Sequence, residues 1–299
     1  IRDRLYTTVD TIIVGRFVGK AALASVGGPA AVLSTIVVTF FNGLANGAAV
    51  IIAQYYGAKD RKSLHVGLHT AYLFSIVISL IVSLVGTVLT PWLLTIMNTP
   101  QDMMADSTIY LRIYFMGILF TLVYNMGAAI MRAVGDSRRP LLYLLVCCAM
   151  NIILDIVMVV GMKMGIAGAA LATVISQCVS AILVTWSLTR AYDAMKLKFR
   201  ELRMDARVLK KELKIGVPGA LQACAYGVTN VVIQASVNSF GTDTAAGWAA
   251  YGKLDLIFWT VSSALGAAVT TFAGQNYGNI KISQYLILSL IHISEPTRP

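Results

Sequence analysis

The chain has 299 residues, 57% of them hydrophobic and 13% charged, with a mean hydropathy of +0.73. Soluble domains carry about 25% charged residues, so this composition excludes one and predicts an all-α integral membrane protein. The net charge of +10 does not signal nucleic acid, because the bases sit in short links between apolar runs instead of along a binding stripe.

Hydropathy predicts eight membrane segments. The first, 1–18, is partial, because its apolar run from Leu5 to Val18 is too short to span, and upstream residues are expected. The others run from about Leu23 to Tyr55, Leu68 to Met97, Ser107 to Met131, Pro140 to Met162, Gly165 to Leu188, Ile215 to Phe240 and Thr244 to Ala273. Domains are expected at 1–190 (a six-helix bundle), 191–214 (a basic linker lying on the anionic inner leaflet) and 215–287 (the first two helices of a second bundle). Residues 288–299 resemble translated adapter sequence and are set aside as a non-native tail, with His292 and Glu295.

Link charges orient the array. Lys59, Arg61 and Lys62, then Arg132, Arg138 and Arg139, then the bases from Arg190 to Lys214 fall in alternate links. The opposite links hold only Arg16, Lys20 and Lys163. The positive-inside rule makes the basic links cytoplasmic. In the link after segment four, Gly135 should end a helix, Asp136 and Ser137 turn the chain, and Pro140 open the next helix.

Segment five carries Asn151 and Asp155 one helical turn apart, hence on one face. A carboxylate at the centre of a membrane helix costs at least about 2.5 kcal/mol, so such a residue is expected to face protein or a watery cavity and to act there. Other polar positions are weaker signals. Lys253 and Asp255 either neutralise each other or touch substrate. Arg112, near an outer helix end, is expected to snorkel. His65 and His69 are too few for a metal site. Cys147, Cys148, Cys178 and Cys224 lie in apolar runs and are read as packing residues.

The chain repeats itself. Tyr6, Val9, Asp10 and Ile13 stand against Tyr226, Thr229, Asn230 and Ile233. Gly47 to Val50 stands against Gly266 to Val269, and Ala53-Gln54-Tyr55-Tyr56-Gly57 against Gly274-Gln275-Asn276-Tyr277-Gly278. Segments seven and eight therefore restart one and two. Two even-numbered units entering from the same side are related by an axis along the membrane normal.

These residues resemble the multidrug and toxic-compound extrusion (MATE) family. The carriers are Val9-Asp10-Thr11 with Val14-Gly15, Arg132 to Asp136 with Pro140, Asn151 to Asp155, Gly165 to Ala170 with Ala172-Thr173, and Gly274 to Gly278. The resemblance implies a coupling-ion site at Asp10, Asn151, Asp155 and Thr173, with Tyr110 nearby. It also implies ion-coupled efflux of cationic or lipophilic drugs by a multi-pass, monomeric protein of a prokaryotic inner membrane. The partners are then small molecules and lipid, without nucleic acid. No enzyme activity and no cofactor beyond the coupling ion, H⁺ or Na⁺, are expected. Some members carry a glutamate in segment seven. Here Gln222, Tyr226 and Asn230 are its polar groups, and with Lys253 and Asp255 they are candidates for the substrate cavity.

Depth counting points to the same residues. At 1.5 Å per residue, Asp10, Asp155 and Thr173 fall about 12–14 Å below the outer boundary, with Asn151 a turn deeper and Tyr110 shallower. Oxygen ligands of this kind suit Na⁺, and two close carboxylates can instead share a proton. The bland alternatives are interhelical hydrogen bonding for Asn151 and Thr173 and an interface-belt role for Tyr110. A lipid-linked saccharide flippase of the same superfamily is the nearest rival. It should hold several cavity cations, where this chain offers only Lys253 and the peripheral Arg112.

Overall fold

The computed structural model describes residues 28–97, 99–191, 195–238 and 242–279. Segment one, with Asp10, and residues 288–299 lie outside them. The described residues form seven α-helices and no strand: α1 Pro29–Gly57, α2 Arg61–Ile96, α3 Gln101–Ala133, α4 Arg138–Asp155, α5 Gly165–Thr189, α6 Ala206–Asn238 and α7 Thr242–Gly278. Helices α1 to α5 are long and apolar enough to cross a membrane. Helices α6 and α7 run 33 and 37 residues, more than the about 20 a crossing needs. A stripe of Leu80, Leu84, Val88 and Trp92 on α2 is exposed at four-residue spacing, as a lipid-facing surface requires.

Local chemistry sets the helix ends. The Asp60 carboxylate accepts from the Ser63 amide at 3.0 Å and caps α2 seven residues ahead of the predicted start. Gly135 takes φ +95 after α3, and Asp136 Oδ1 accepts from the Arg139 amide at 3.2 Å. The turn therefore forms as its sequence implies.

The described residues of the link, 195–214, have their own local structure. Asp205 Oδ1 accepts from the amides of Arg207 and Val208 at 2.9 and 3.1 Å, so the last nine residues are the first turns of α6. The preceding stretch docks on α2. The Lys198 amide donates to His69 Nε2 at 3.1 Å, the Asp205 amide donates to Thr70 Oγ1 at 3.1 Å, and Leu197 is buried. His69 Nδ1 bonds the His65 carbonyl at 2.8 Å, and His65 Nε2 lies 3.1 Å from Glu201. Both histidines thus serve to hold the link.

Helix α1 packs against α2, α3, α6 and α7. It meets α6 through small residues. A side chain added at Gly43 would strike Ala220, and one added at Gly47 would strike Gly216 and the Glu212 carbonyl. Gly43-x₃-Gly47 against Gly216-x₃-Ala220 is the small-residue crossing by which membrane helices bring their backbones together. Two apolar clusters fill the interior. One joins Ile52, Leu68, Tyr72, Ile130 and Leu188 near the basic links. The other joins Leu94, Leu111, Phe115, Ile118 and Val159 toward the opposite end.

Candidate cation-coupling site

Helix α4 buries four residues, Pro140, Cys147, Asn151 and Asp155, spaced so that they form one stripe. Asn151 is 1% exposed and Asp155 0%, while Ile153 between them is 56% exposed. The polar pair thus faces protein, on a helix that packs mainly against α5 among the described elements. Neither amide atom of Asn151 has a hydrogen-bond partner among the described residues. A buried amide left so is costly.

Asp155 is the last α-helical residue, and Ile156–Gly161 form a π-helical stretch. The wider turn re-aims the side chains beyond Asp155, and such turns concentrate at functional sites. Along the chain, Asp155 lies six residues before this stretch ends and Thr173 lies eight residues into α5. Gly168 of α5 lets α5 close on this stretch, since a side chain there would come within 3.2 Å of the Met158 carbonyl.

Thr173 is 2% exposed, and its hydroxyl donates to the Ala169 carbonyl at 3.1 Å. The donor is thereby used, and the oxygen can act only as an acceptor or ligand. Tyr110 is buried and stacks on Tyr114 with centroids 6.3 Å apart, on α3 where it packs against α5. Sequence reasoning passed over Gln177. It lies one turn beyond Thr173, is buried, and has an Oε1 without a partner among the described residues. Its signal was the four-residue step from Thr173, which repeats the Asn151–Asp155 step across the α4–α5 contact.

Amide, carboxylate and hydroxyl oxygens are donors for a hard cation. The described residues contain no cluster of three or more His, Cys, Asp or Glu. The Asn151 amide, buried without a partner, fits a ligand role.

The candidate substrate residues are spread along an open face. Gln222, Tyr226 and Asn230 are exposed on α6, and Tyr226 meets Trp259 of α7 with centroids 5.3 Å apart. Asp255 accepts from the Tyr251 hydroxyl at 3.3 Å. The side chain of Lys253 lies outside the described residues. A cavity of about 270 Å³ lies between α1 and α6, lined by Thr39, Asn42, Asn46, Val50, Ile215 and Ala223 among others. None of the three α6 candidates lines it. The asparagines of α1 were missed because a lone amide in an apolar run does not disclose what it faces.

The MatE family model matches residues 4–157. The probable multidrug resistance protein YpnP of Bacillus subtilis (strain 168) is 32% identical over 277 residues, which is 90% of this chain and 60% of that protein. The probable multidrug resistance protein YoeA of the same organism is 29% identical over 279 residues, with the same coverage. A crystal structure of MATE in the bent conformation superposes with a TM-score of 0.88 at 22% identity, over 98% of this chain and 66% of that one, and so shares the fold. The chain spans about 60% of the length of these curated relatives. With the family model matched across half its length and YpnP similar across 90% of it, the chain is a multi-pass membrane protein that belongs to the MatE family.

Proposed function

We propose that the protein is part of a secondary active exporter of cationic or lipophilic compounds, driven by inward movement of H⁺ or Na⁺. The observation that carries this reading is the Asn151–Asp155 pair, fully buried on the one protein-facing stripe of a membrane helix. An acid in that setting is expensive, and cation binding is the use that offsets its cost. Asp155 and Asp10 are the groups that exchange charge. Asn151 and Thr173 supply neutral oxygen ligands, and Tyr110 borders the site.

The ion drives transport only if it binds the outward- and inward-facing states with different affinity. The π-helical stretch supplies an element for cation binding to bias, since it follows directly on Asp155 and packs against α5. Drug-like substrates are supported by the names of YpnP and YoeA. A prokaryotic inner membrane is supported by their source and by the placement of the basic links. In cells expressing the full-length protein, Asp155→Asn should abolish drug resistance while leaving the amount inserted in the membrane unchanged. Wild-type resistance in that variant would reject the proposal.

A further inference from the structure

Glu212 is 3% exposed, and its Oε1 has no hydrogen-bond partner among the described residues. It lies three residues ahead of the apolar run that starts at Ile215, at the basic-link end of α6. Glu212, Gly216 and Ala220 follow at four-residue steps, so they share one stripe of α6. Gly216 packs on Gly47 and Ala220 on Gly43 of the antiparallel α1. The same register, carried one turn further, sets Glu212 opposite Ile51, itself buried. The carboxyl thus ends the seam between α1 and α6 on its cytoplasmic side.

Among the described residues, no hydrogen bond or ion pair is made to its Oε1. Helix α1 carries no charged residue, and its titratable side chains are Tyr55 and Tyr56. On α6 the neighbouring Lys211 places its ammonium 5.9 Å over the Tyr55 ring, while Arg207, Lys210 and Lys214 are exposed. Helix α2 brings Arg61, Lys62, His65, His69 and Tyr72 to this end. His69 bonds Lys198, His65 faces Glu201, and Tyr72 bonds Thr185. Helix α7 brings Tyr277, which is exposed. Burial raises the Glu212 carboxyl from 4.5 to about 8. In the closed seam the group is therefore largely protonated at neutral pH.

We propose that Glu212 is a proton-binding site of the cytoplasmic seam, which takes up a cytoplasmic proton as α6 closes on α1 and returns it as they separate. The step is a reversible protonation of one carboxylate oxygen, with water as the exchanging partner. It rests on the exporter reading, because only a protein that alternates its access must part this seam. The site is distinct from the Asn151–Asp155 pair and exchanges with the cytoplasm alone. The sign follows from the raised value. The closed seam binds more protons than the open one, so closure is favoured in full below the ordinary carboxylate range and weakens as pH rises toward 8. Where the two states differ by a whole proton, the closed-to-open ratio falls tenfold per pH unit.

The test uses the full-length protein with spin labels at Lys62→Cys on α2 and Lys210→Cys on α6, both exposed, the native cysteines being replaced. With Glu212 intact, the distance distribution should move to longer separations as pH rises from 5 to 8. Glu212→Gln, which mimics the protonated group, should hold the short distance throughout. In the unlabelled protein, the infrared band of a protonated carboxyl should fade over the same range and be missing from Glu212→Gln. A distance that does not change with pH when Glu212 is intact would overturn the proposal without need of the variant, and so would an unchanged pH response in Glu212→Gln. Repeating the titration in Asp155→Asn separates the two claims. Loss of export there concerns the coupling site, whereas the Glu212 band and its pH response should persist.

Discussion

Gly57 lies directly against the backbone carbonyl of Gln275, and the contact recurs with partners exchanged, Gly278 against the carbonyl of Gln54. Gln54 and Gln275 are equivalent positions in the two repeats, as are Gly57 and Gly278. A reciprocal contact of this kind is what a two-fold axis produces. The contact joins positions that the residue spacing pairs, at the end of the molecule that carries the basic links. The Gln275 side chain adds a bond from its Nε2 to the Ala133 carbonyl at the end of α3, 2.8 Å long.

This symmetry makes a paired prediction. Gly57→Val and Gly278→Val each insert a side chain into backbone. Each should destabilise the closed contact by about 1–3 kcal/mol, the usual cost of overpacking. Thermal unfolding of the detergent-solubilised protein measures this. Similar losses in the two variants are expected, and one silent variant would mean that the crossing is not reciprocal.

Asn151 separates a ligand from interhelical glue. Its amide has no partner among the described residues, so Asn151→Leu removes an unsatisfied polar group and should leave stability unchanged or raised. Ion-coupled export should nonetheless be lost. A fall in melting temperature in Asn151→Leu would show that the amide makes bonds that hold α4 to its neighbours.

The link docked on α2 should respond to acid. Burial, then the neighbouring His69, holds the His65 ring below its ordinary 6.5, although Glu201 acts in the opposite direction. The docked state therefore binds fewer protons than the released one. Docking is complete above about 6.5 and weakens as pH falls through that value. Limited tryptic cleavage between Lys196 and Arg203 should quicken at pH 5.5 relative to pH 7.5. His65→Gln should remove the difference.

His69→Ala should release the same link at every pH, because the Lys198 amide then loses its acceptor. Losing a part-buried hydrogen bond of this kind costs about 0.5–1.5 kcal/mol. Hydrogen exchange at Leu197 and Lys198 should quicken, and protection equal to the original chain's would remove His69 from this role.

Much of this was legible along the chain. Apolar runs disclosed the segments α1 to α7, and the Gly135 turn followed from its own residues. The Asn151–Asp155 face was readable because an acid in an apolar helix is rare enough to need a reason. What escaped was long-range or geometric. The composition of Ile156–Gly161 is that of any apolar helix, and nothing in it marks the π-helical turns. Gly43-x₃-Gly47 gains meaning only when Gly216 and Ala220 are set opposite it. Glu212 was hidden among the bases of a link whose last turns are helical because Asp205 caps them. His69 resembled half of a weak metal motif until Lys198 supplied its partner.

The coupling site is tested most directly by dye uptake into inside-out vesicles containing the full-length protein, under an imposed H⁺ or Na⁺ gradient. The original protein should accumulate a cationic dye when the gradient is applied, and Asp155→Asn should bind the dye without accumulating it. Gradient-driven accumulation in Asp155→Asn at the original rate would contradict the account.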